Sequence, residues 1–409
     1  MHEVPNVLIV GAGGVGAATA HKAARNNAEL GDIWLASRTP ARCQAVVEQI
    51  RRRSNIQSNF QLHPAELDAR DRDAVARLIE RARARIVINV ASPDVNLSVM
   101  DACLATGARY LDTAVHEKQG ETGMPPPWYA NYEWPLKERF EAAAGVTAIL
   151  GIGFDPGAVN AFCAWAKKHH LTEIESIDIL DVNAGSHGRY FATNFDAETN
   201  LKEIAEEVIY VDEREWRTVP CHTRSRTFDF PKIGPCTVYS MGHDEIHSLA
   251  VNIGAYHVEF WMAFGEHYRK VFDVLKNLGL LGTEPVNVEG QSVVPLKLVK
   301  ALLPDPASLA ADYTGEVCIG ALVAGRDRDG RSRRLLVYSL CDHAHCFEEV
   351  GAQAISYTTA VPAVTAALLI ARGEWDVGRM VNVEELDPDP FMALMPELGI
   401  EWQVREEAA

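Results

Sequence analysis

Three glycines near the start of the chain have the spacing that phosphate chemistry needs. Gly11, Gly13 and Gly16 follow the apolar run Val7-Leu8-Ile9-Val10 and precede an Ala-rich stretch at residues 17–24. Strand, G-x-G-x-x-G turn and helix in that order read as a dinucleotide-binding βα unit, with Gly14 and Val15 inside the turn. Gly11 makes the tight turn, Gly13 lets the backbone approach a pyrophosphate and Gly16 lets the helix pack closely, while the helix N-terminus attracts the anion. The next strand, Ile33-Trp34-Leu35-Ala36, runs into Ser37-Arg38-Thr39, at the place where an NAD site carries an acid for the ribose 2′-hydroxyl. A hydroxyl and a guanidinium hydrogen-bond a 2′-phosphate, which a carboxylate repels. The expected cofactor is therefore NADP.

A second run has ligand-type residues: Cys341-Asp342-His343-Ala344-His345-Cys346. Crowded so closely, these groups do not easily wrap one tetrahedral ion, and no second cluster completes a set, so no metal is expected. Asn96-Leu97-Ser98 fits a glycosylation sequon, but a cytoplasmic chain never meets that enzyme.

These groups must be positioned by a chain of 409 residues, too long for one ordinary core, and two domains are the expectation. A hydrophobic share of 47% and a charged share of 23% are those of a globular enzyme. The net charge of −17 argues against nucleic acid or an anionic membrane as partner and is compatible with a cationic substrate. No apolar run approaches the ~20 residues of a membrane helix. The N-terminus enters a strand without a basic leader, so no signal peptide is expected, and eight scattered cysteines read as reduced thiols in a cytoplasmic protein.

Strand and helix patterns alternate through the first 150 or so residues. Phe60 and Leu62 suggest a third strand ending near Leu67-Asp68, followed by a helix at 71–84. The apolar strand Ile86-Val87-Ile88-Asn89-Val90 ends in Ala91-Ser92-Pro93, and Tyr110-Leu111-Asp112-Thr113 is the next strand. Residues 116–134 break the rhythm with glycines, prolines and aromatics, as a cover over the site or a surface decoration. After Thr147-Ala148-Ile149-Leu150 comes the bend Gly153-Phe154-Asp155-Pro156-Gly157, then a helix at 159–168. Asp68, Ala91, Ser92, Pro93, Thr113 and Phe154 lie at carboxyl ends of strands and complete the expected cofactor-facing set.

Beyond the bend, short strands are expected at 177–182, 227–230, 237–240, 256–262, 316–324 and 335–340, the last two joined by a hairpin at Asp329-Gly330. Helical patterns are fewer, at 201–208, 267–278 and 296–303. The fold class expected is α/β: an N-terminal Rossmann domain over 1–152 and an α+β substrate-binding and dimerisation domain over 153–349. A long helix at 350–372, interrupted by Pro362, is expected to start a C-terminal segment, 350–409, that packs back on the Rossmann unit. The open face or edge of the second sheet is the expected surface of a homodimer.

Together the motifs resemble the saccharopine dehydrogenase family over nearly the whole chain. The carrying stretches are Gly11-Ala12-Gly13-Gly14-Val15-Gly16, Ala36-Ser37-Arg38-Thr39, Asn89-Val90-Ala91-Ser92-Pro93, Tyr110-Leu111-Asp112-Thr113-Ala114 and Gly153-Phe154-Asp155-Pro156-Gly157. Further on come Gly185-Ser186-His187-Gly188, Thr193-Asn194-Phe195, Thr227-Phe228-Asp229-Phe230-Pro231, Cys341-Asp342-His343, the run from Val350-Gly351-Ala352-Gln353 to Thr358-Thr359, and Asp387-Pro388-Asp389-Pro390-Phe391. The later motifs point to the branch that makes polyamines. The resemblance implies that a diamine, 1,3-diaminopropane or putrescine, condenses with L-aspartate β-semialdehyde. NADPH then reduces the imine to carboxynorspermidine or carboxyspermidine. Another saccharopine- or opine-type reductase, and a non-catalytic NADP-binding regulator, are the alternatives.

Such a reaction needs a proton donor for carbinolamine dehydration and a carboxylate or aromatic face for an ammonium left charged. Asp155, His187 and His257 are the catalytic candidates, and Asp155, Pro156, Gly157, Asn194 and His343 the substrate-binding ones. Plain alternatives stay open: Asp155 before Pro156 suits an Asx-turn, His187 a loop, and His257 a satisfied core position. The bend is expected beside the nicotinamide, with the helix after it offering unpaired N–H groups to a substrate carboxylate.

Overall fold

Val7, Leu8, Ile9 and Val10 are at most 1% exposed and form β1 (Asn6–Val10), buried on both faces as an inner strand of a parallel sheet must be. The computed structural model describes residues 4–53, 61–118, 120–143 and 145–408. Beside β1 run β2 (Ile33–Ser37), β3 (Leu62–Glu66), β4 (Ala84–Asn89), β5 (Arg109–Asp112) and β6 (Ala148–Leu150). With strand Met380–Asn382 they form an all-parallel sheet in the order Met380–Asn382, β6, β5, β4, β1, β2, β3. This is the Rossmann order, and its crevice opens where the order reverses, between β1 and β4. Phe60, expected in the third strand, lies outside the described residues.

Helix Gly14–Arg25 buries Ala18, Ala20, Ala23 and Ala24, and these small side chains let helix Ala354–Ala371 lie close against it. The expected long helix at 350–372 is a single helix over Ala354–Ala371, set off from a preceding helix, His343–Val350, at Gly351 with φ 75°. Pro362 sits inside the second helix and does not interrupt it, because packing on all sides holds that helix together. The expectation that no run approaches membrane-helix length also needs correction. Ala354–Ala371 is 18 residues long and apolar enough by composition, but 83% of it is buried inside the protein, so its apolarity serves the core.

The second sheet is centred on β7 (Glu173–Asn183). It pairs parallel with His257–Ala263 and antiparallel with Glu316–Arg326, and the order runs Ser225–Phe230, Gly234–Met241, His257–Ala263, β7, Glu316–Arg326, Ser332–Asp342, Trp402–Glu406. The C-terminal segment thus supplies a strand to each sheet. Along β7, Ile177, Ile179 and Asp181 face one side while Asp178, Leu180 and Val182 face the other. The first and last strands of the order meet: Arg405 Nη2 donates to the Asp229 carbonyl at 2.7 Å and its guanidinium lies 5.9 Å from the Phe228 ring. The sheet therefore curls, and Leu180, Val182, Trp261, Leu322 and Leu336 are enclosed by its own curvature. Among the described residues, this curl covers one of the faces expected to be open.

Among the elements that went unforeseen are the hairpin of Val208–Asp212 with Glu215–Val219 and helix Asp244–Asn252. Segment 116–134 is not decoration, since Trp128 and Tyr129 are buried in the core beneath the carboxyl edge of the parallel sheet.

Candidate active site

The dinucleotide turn is built as its spacing requires. Gly11 has φ 111°, and a Cβ on Gly16 would stand 1.9 Å from the Gly11 carbonyl oxygen, so only glycine lets the helix start so close to the strand. A Cβ on Gly13 would meet nothing within 4 Å, leaving that face open to a ligand. Helix Gly14–Arg25 has no side-chain cap and no acid in its first turn, so its N-terminal N–H groups suit an anion. Gly14 faces Ser356 at the start of helix Ala354–Ala371, and Val15 is half-buried behind it.

At the tip of β2, the Ser37 hydroxyl is held by Thr39, accepting from its N–H at 3.2 Å. Arg38 is exposed and makes no hydrogen bond or ion pair among the described residues, which leaves its guanidinium for a phosphate. The exposed Asp68 carboxylate accepts from the Arg70 N–H at 3.1 Å, so it shapes its turn. Ala91, Ser92 and Pro93 close β4 over the crevice, where the Pro93 carbonyl meets His116 Nδ1 at 2.9 Å. One cofactor expectation is corrected: the Phe154 side chain is 2% exposed and packs edge-on against Phe162 at 5.9 Å, so it belongs to the core.

The bend after β6 folds back on itself. Gly157 has φ 135°, a Cβ there would stand 2.0 Å from the Gly153 carbonyl oxygen, and Gly153 N–H donates to the Pro156 carbonyl at 2.8 Å. A Cβ on Gly153 would meet Thr359 at 3.2 Å and Thr113 at 3.5 Å, which sets the bend between β5 and helix Ala354–Ala371. The helix that follows does not offer the free donors expected of it. Ala158 and Val159 N–H donate to the Gly153 and Phe154 carbonyls, and Gly157 N–H donates to Asn160 Oδ1, because so tight a bend brings its own acceptors to the helix start. Nor does Asp155 form an Asx-turn, since its carboxyl has no hydrogen-bond partner among the described residues.

Asp155 instead faces charge. Burial, followed by the neighbouring Asp181 carboxyl, pushes its pKa well above the carboxylate range, partly opposed by His243. Asp181, on β7, is 7% exposed, and its Oδ1 has no hydrogen-bond partner among the described residues. Burial, with Glu203 and Glu245 adding to it and His243 opposing, raises Asp181 to about 7. His243 bridges Glu203 (Nε2–Oε1 3.1 Å) and Glu245 (Nδ1–Oε2 2.5 Å) and lies flat on Phe260, ring centres 4.1 Å apart. Burial works against its charge, but the two carboxylates outweigh it and hold the ring protonated.

Along the face of β7 that Asp181 shares, Asn183 begins a second cluster of neutral groups. It hydrogen-bonds His343 Nε2 at 3.0 Å and donates to the Tyr313 hydroxyl at 2.8 Å; Tyr313 donates to Asn194 Oδ1 at 2.7 Å. Tyr313 stacks on His343 with 3.7 Å between ring centres, and His187 meets it edge-on at 5.3 Å. Three residues chosen from the sequence, His187, Asn194 and His343, are thus brought together around a tyrosine that was not. Burial lowers His343 to about 4, so it is neutral and positions its neighbours, and burial also lowers His187. Pro156 and Gly157 belong to the bend itself.

His257 does not join them. It begins its strand, opposite Ser176 near the start of β7, whereas Asn183 ends β7. There it meets Asp212 (3.2 Å), Glu259 (3.3 Å) and Asp178 (3.7 Å), which outweigh burial and raise it to about 10. Asp178, His257 and Glu259 carry ligand atoms within 4.8 Å of one another. Their oxygens are already engaged by the Arg224 fork (2.9 Å twice), Arg226 (3.0 Å), Ser240 and the Trp261 indole (2.8 Å), which makes this an ion-pair network. The Cys341–Cys346 run likewise splits. The two buried thiols lie 3.3 Å apart, Asp342 caps a helix, His343 turns inward and His345 is exposed.

Fold and site together define an NADP-dependent oxidoreductase. Residues 7–149 match the saccharopine dehydrogenase NADP binding domain and residues 153–400 the saccharopine dehydrogenase C-terminal domain. The chain belongs to the saccharopine dehydrogenase family. It is 47% identical to the carboxynorspermidine synthase of Vibrio alginolyticus over 98% of this chain and 97% of that one. It is also 42% identical to the carboxyaminopropylagmatine dehydrogenase of Synechocystis sp. over 97% and 96%. Among solved structures, apo saccharopine dehydrogenase (L-Glu forming) from Saccharomyces cerevisiae shares the fold, with a TM-score of 0.72 at 14% identity, covering 99% of this chain and all of that one.

Proposed function

We propose that the chain catalyses the NADPH-dependent reductive condensation of L-aspartate β-semialdehyde with a diamine, giving carboxynorspermidine from 1,3-diaminopropane or carboxyspermidine from putrescine. The observation that carries this reading is identity near one half, along almost all of both chains, to two carboxynorspermidine synthases, the second being that of Vibrio cholerae at 46%. The relative named for carboxyaminopropylagmatine favours agmatine as a third amine to test.

The open Gly13 face, the uncapped helix start and the unpartnered Arg38 fit NADPH, which supplies the hydride to the C=N carbon. Asp155, at the bend expected beside the nicotinamide, holds a proton at neutral pH and delivers it to the carbinolamine hydroxyl as water leaves. The neutral group around Tyr313, with His187, Asn194 and His343, orients the amino-acid portion of the aldehyde through hydrogen bonds. His257 has no part in the reaction in this reading. Domain limits at 1–152 and 153–349 go with it, with 350–409 shared between the sheets. So does a cytoplasmic setting, with all eight thiols free. A homodimer would form through the exposed apolar residues of Glu266–Asn277 and Pro295–Leu302, among them Leu278 just past the first helix and Leu302 at 70% and 77% exposure. A monomer mass independent of concentration in sedimentation would rule that out.

The test follows NADPH absorbance with the semialdehyde and each of 1,3-diaminopropane, putrescine and agmatine. Oxidation that requires both aldehyde and amine is expected. Its absence with all three amines overturns the reading.

A further inference from the structure

The ring of His243 bridges Glu203 and Glu245, and its charge is felt by two further carboxyls, those of Asp155 and Asp181. Both nitrogens of that ring are already used by Glu203 and Glu245, so its cation leaves Asp155 and Asp181 without a donor. The nearest lysine on the same helix as Glu203 does not help, because Lys202 is held by Glu117 at 3.3 Å and Glu206 at 3.6 Å. Asp181 is the decisive member. It is 7% exposed, follows Ile177 and Ile179 on one face of the central strand, and its Oδ1 has no partner among the described residues. A buried carboxyl oxygen without a donor is costly, and folding alone gives no reason to keep one there.

The cluster also has a direction. Glu203 has 25% of its side chain exposed, His243 11% and Glu245 none, so Glu203 is the solvent-facing member of the three. Closely set acids in a low-dielectric cleft concentrate cations and discriminate by charge.

We propose that Asp181, with Glu203 behind it, receives the distal ammonium of the amine substrate and makes the enzyme require an amine with a second cationic group. The inference rests on the reductive-condensation reading above and deepens it, by dividing the acids between the reacting nitrogen at Asp155 and the far nitrogen at Asp181. A bound ammonium supplies the donor that Asp181 Oδ1 lacks and balances the excess carboxyls. The raised pKa values of Asp155 and Asp181 agree with a pair kept waiting for a cation.

The experiment compares 1,3-diaminopropane with n-propylamine, each with the semialdehyde and NADPH, in the wild-type enzyme, Asp181→Asn and Glu203→Gln. Wild type is expected to prefer the diamine by at least about a hundredfold in kcat/KM, because a monoamine leaves buried acids unpaired. Asp181→Asn should raise the KM for the diamine roughly tenfold or more, leave the KM for NADPH and for the semialdehyde unchanged, and shrink the diamine-to-monoamine ratio at least roughly tenfold. Glu203→Gln, on the exposed side, should shift the same ratio by a smaller factor, and it remains informative if Asp181→Asn folds poorly. An unchanged ratio in both variants, with an active wild type, overturns this inference and leaves the reaction standing. A wild-type enzyme inactive with every amine overturns the reaction and this inference with it.

Discussion

Asp178 and Asp181 stand three positions apart on β7, on opposite faces of one sheet, and they meet opposite fates. Burial would push both up. At Asp178, His257, Arg226 and Trp261 outweigh burial and hold the carboxylate below its usual range. At Asp181 there is no matching set of donors, and the group rises to about 7. The first face is an ion-pair network closed on itself, with Glu259 wholly buried and clamped by Arg224. The second is an open set of charges waiting for something outside the chain. A buried charge with partners serves the fold, and one without them is a candidate for binding or catalysis.

The sharpest way to break this contrast is kinetic. Asp155→Asn keeps the shape of the side chain but cannot deliver a proton, and kcat should fall by about a hundredfold with little change in NADPH affinity. Wild-type turnover in that variant would end the role given to Asp155. Arg38, the unpartnered cation at the other end of the crevice, comes next. Arg38→Ala should raise the KM for NADPH about tenfold while hardly affecting NADH, since only the phosphorylated ribose loses a charge-assisted bond. An unchanged preference between the two cofactors would refute the assignment.

The paired face should answer in stability. Glu259→Gln leaves Arg224 and His257 without their shared carboxylate and should cost about 2 kcal/mol or more, read as a lower Tm, with kcat and every KM unchanged. A kinetic defect without a drop in Tm would reverse the roles of the two faces.

The smallest effect is on pH dependence. Asp181, Asp112 and Asp244 each rise from 3.8 to about 7 on folding, mainly through burial. Between about pH 4 and pH 7 the native state therefore binds protons that the unfolded chain has released, and these groups lower stability as pH rises through that window. Asp178 acts oppositely: its depressed pKa gives stability that is present above about 3.8 and lost as pH falls below it. Scans of Tm from pH 4 to 7.5 should show the decline, less steep in Asp181→Asn. An identical slope in wild type and variant would contradict the raised pKa of Asp181.

Legibility in the sequence followed the range of the interactions. The G-x-G-x-x-G turn, the Ser37-Arg38 tip and the Gly153–Gly157 bend were readable because a few consecutive residues fix their geometry. His187, Asn194 and His343 were readable as candidate residue types, but Tyr313, which gathers them, carries no local signal. Asp181 did leave one, as an acid inside the apolar run Ile177-Asp178-Ile179-Leu180-Asp181-Val182, yet Asp178 shares it and has the opposite role. His257 was not separable from the other candidates in the sequence, because an imidazole on an aromatic strand looks the same whether it faces substrate or, as here, three carboxylates.

The sequence by itself determined the parallel sheet, its cofactor turn and the choice of NADP, since strand burial, glycine spacing and the residue at the tip of β2 are local properties. Only the tertiary structure decided which acids stay unpaired. Residues 155, 181, 203, 243 and 245 come from a bend, a strand and two helices, and their charges couple only because packing holds them together where water cannot screen them.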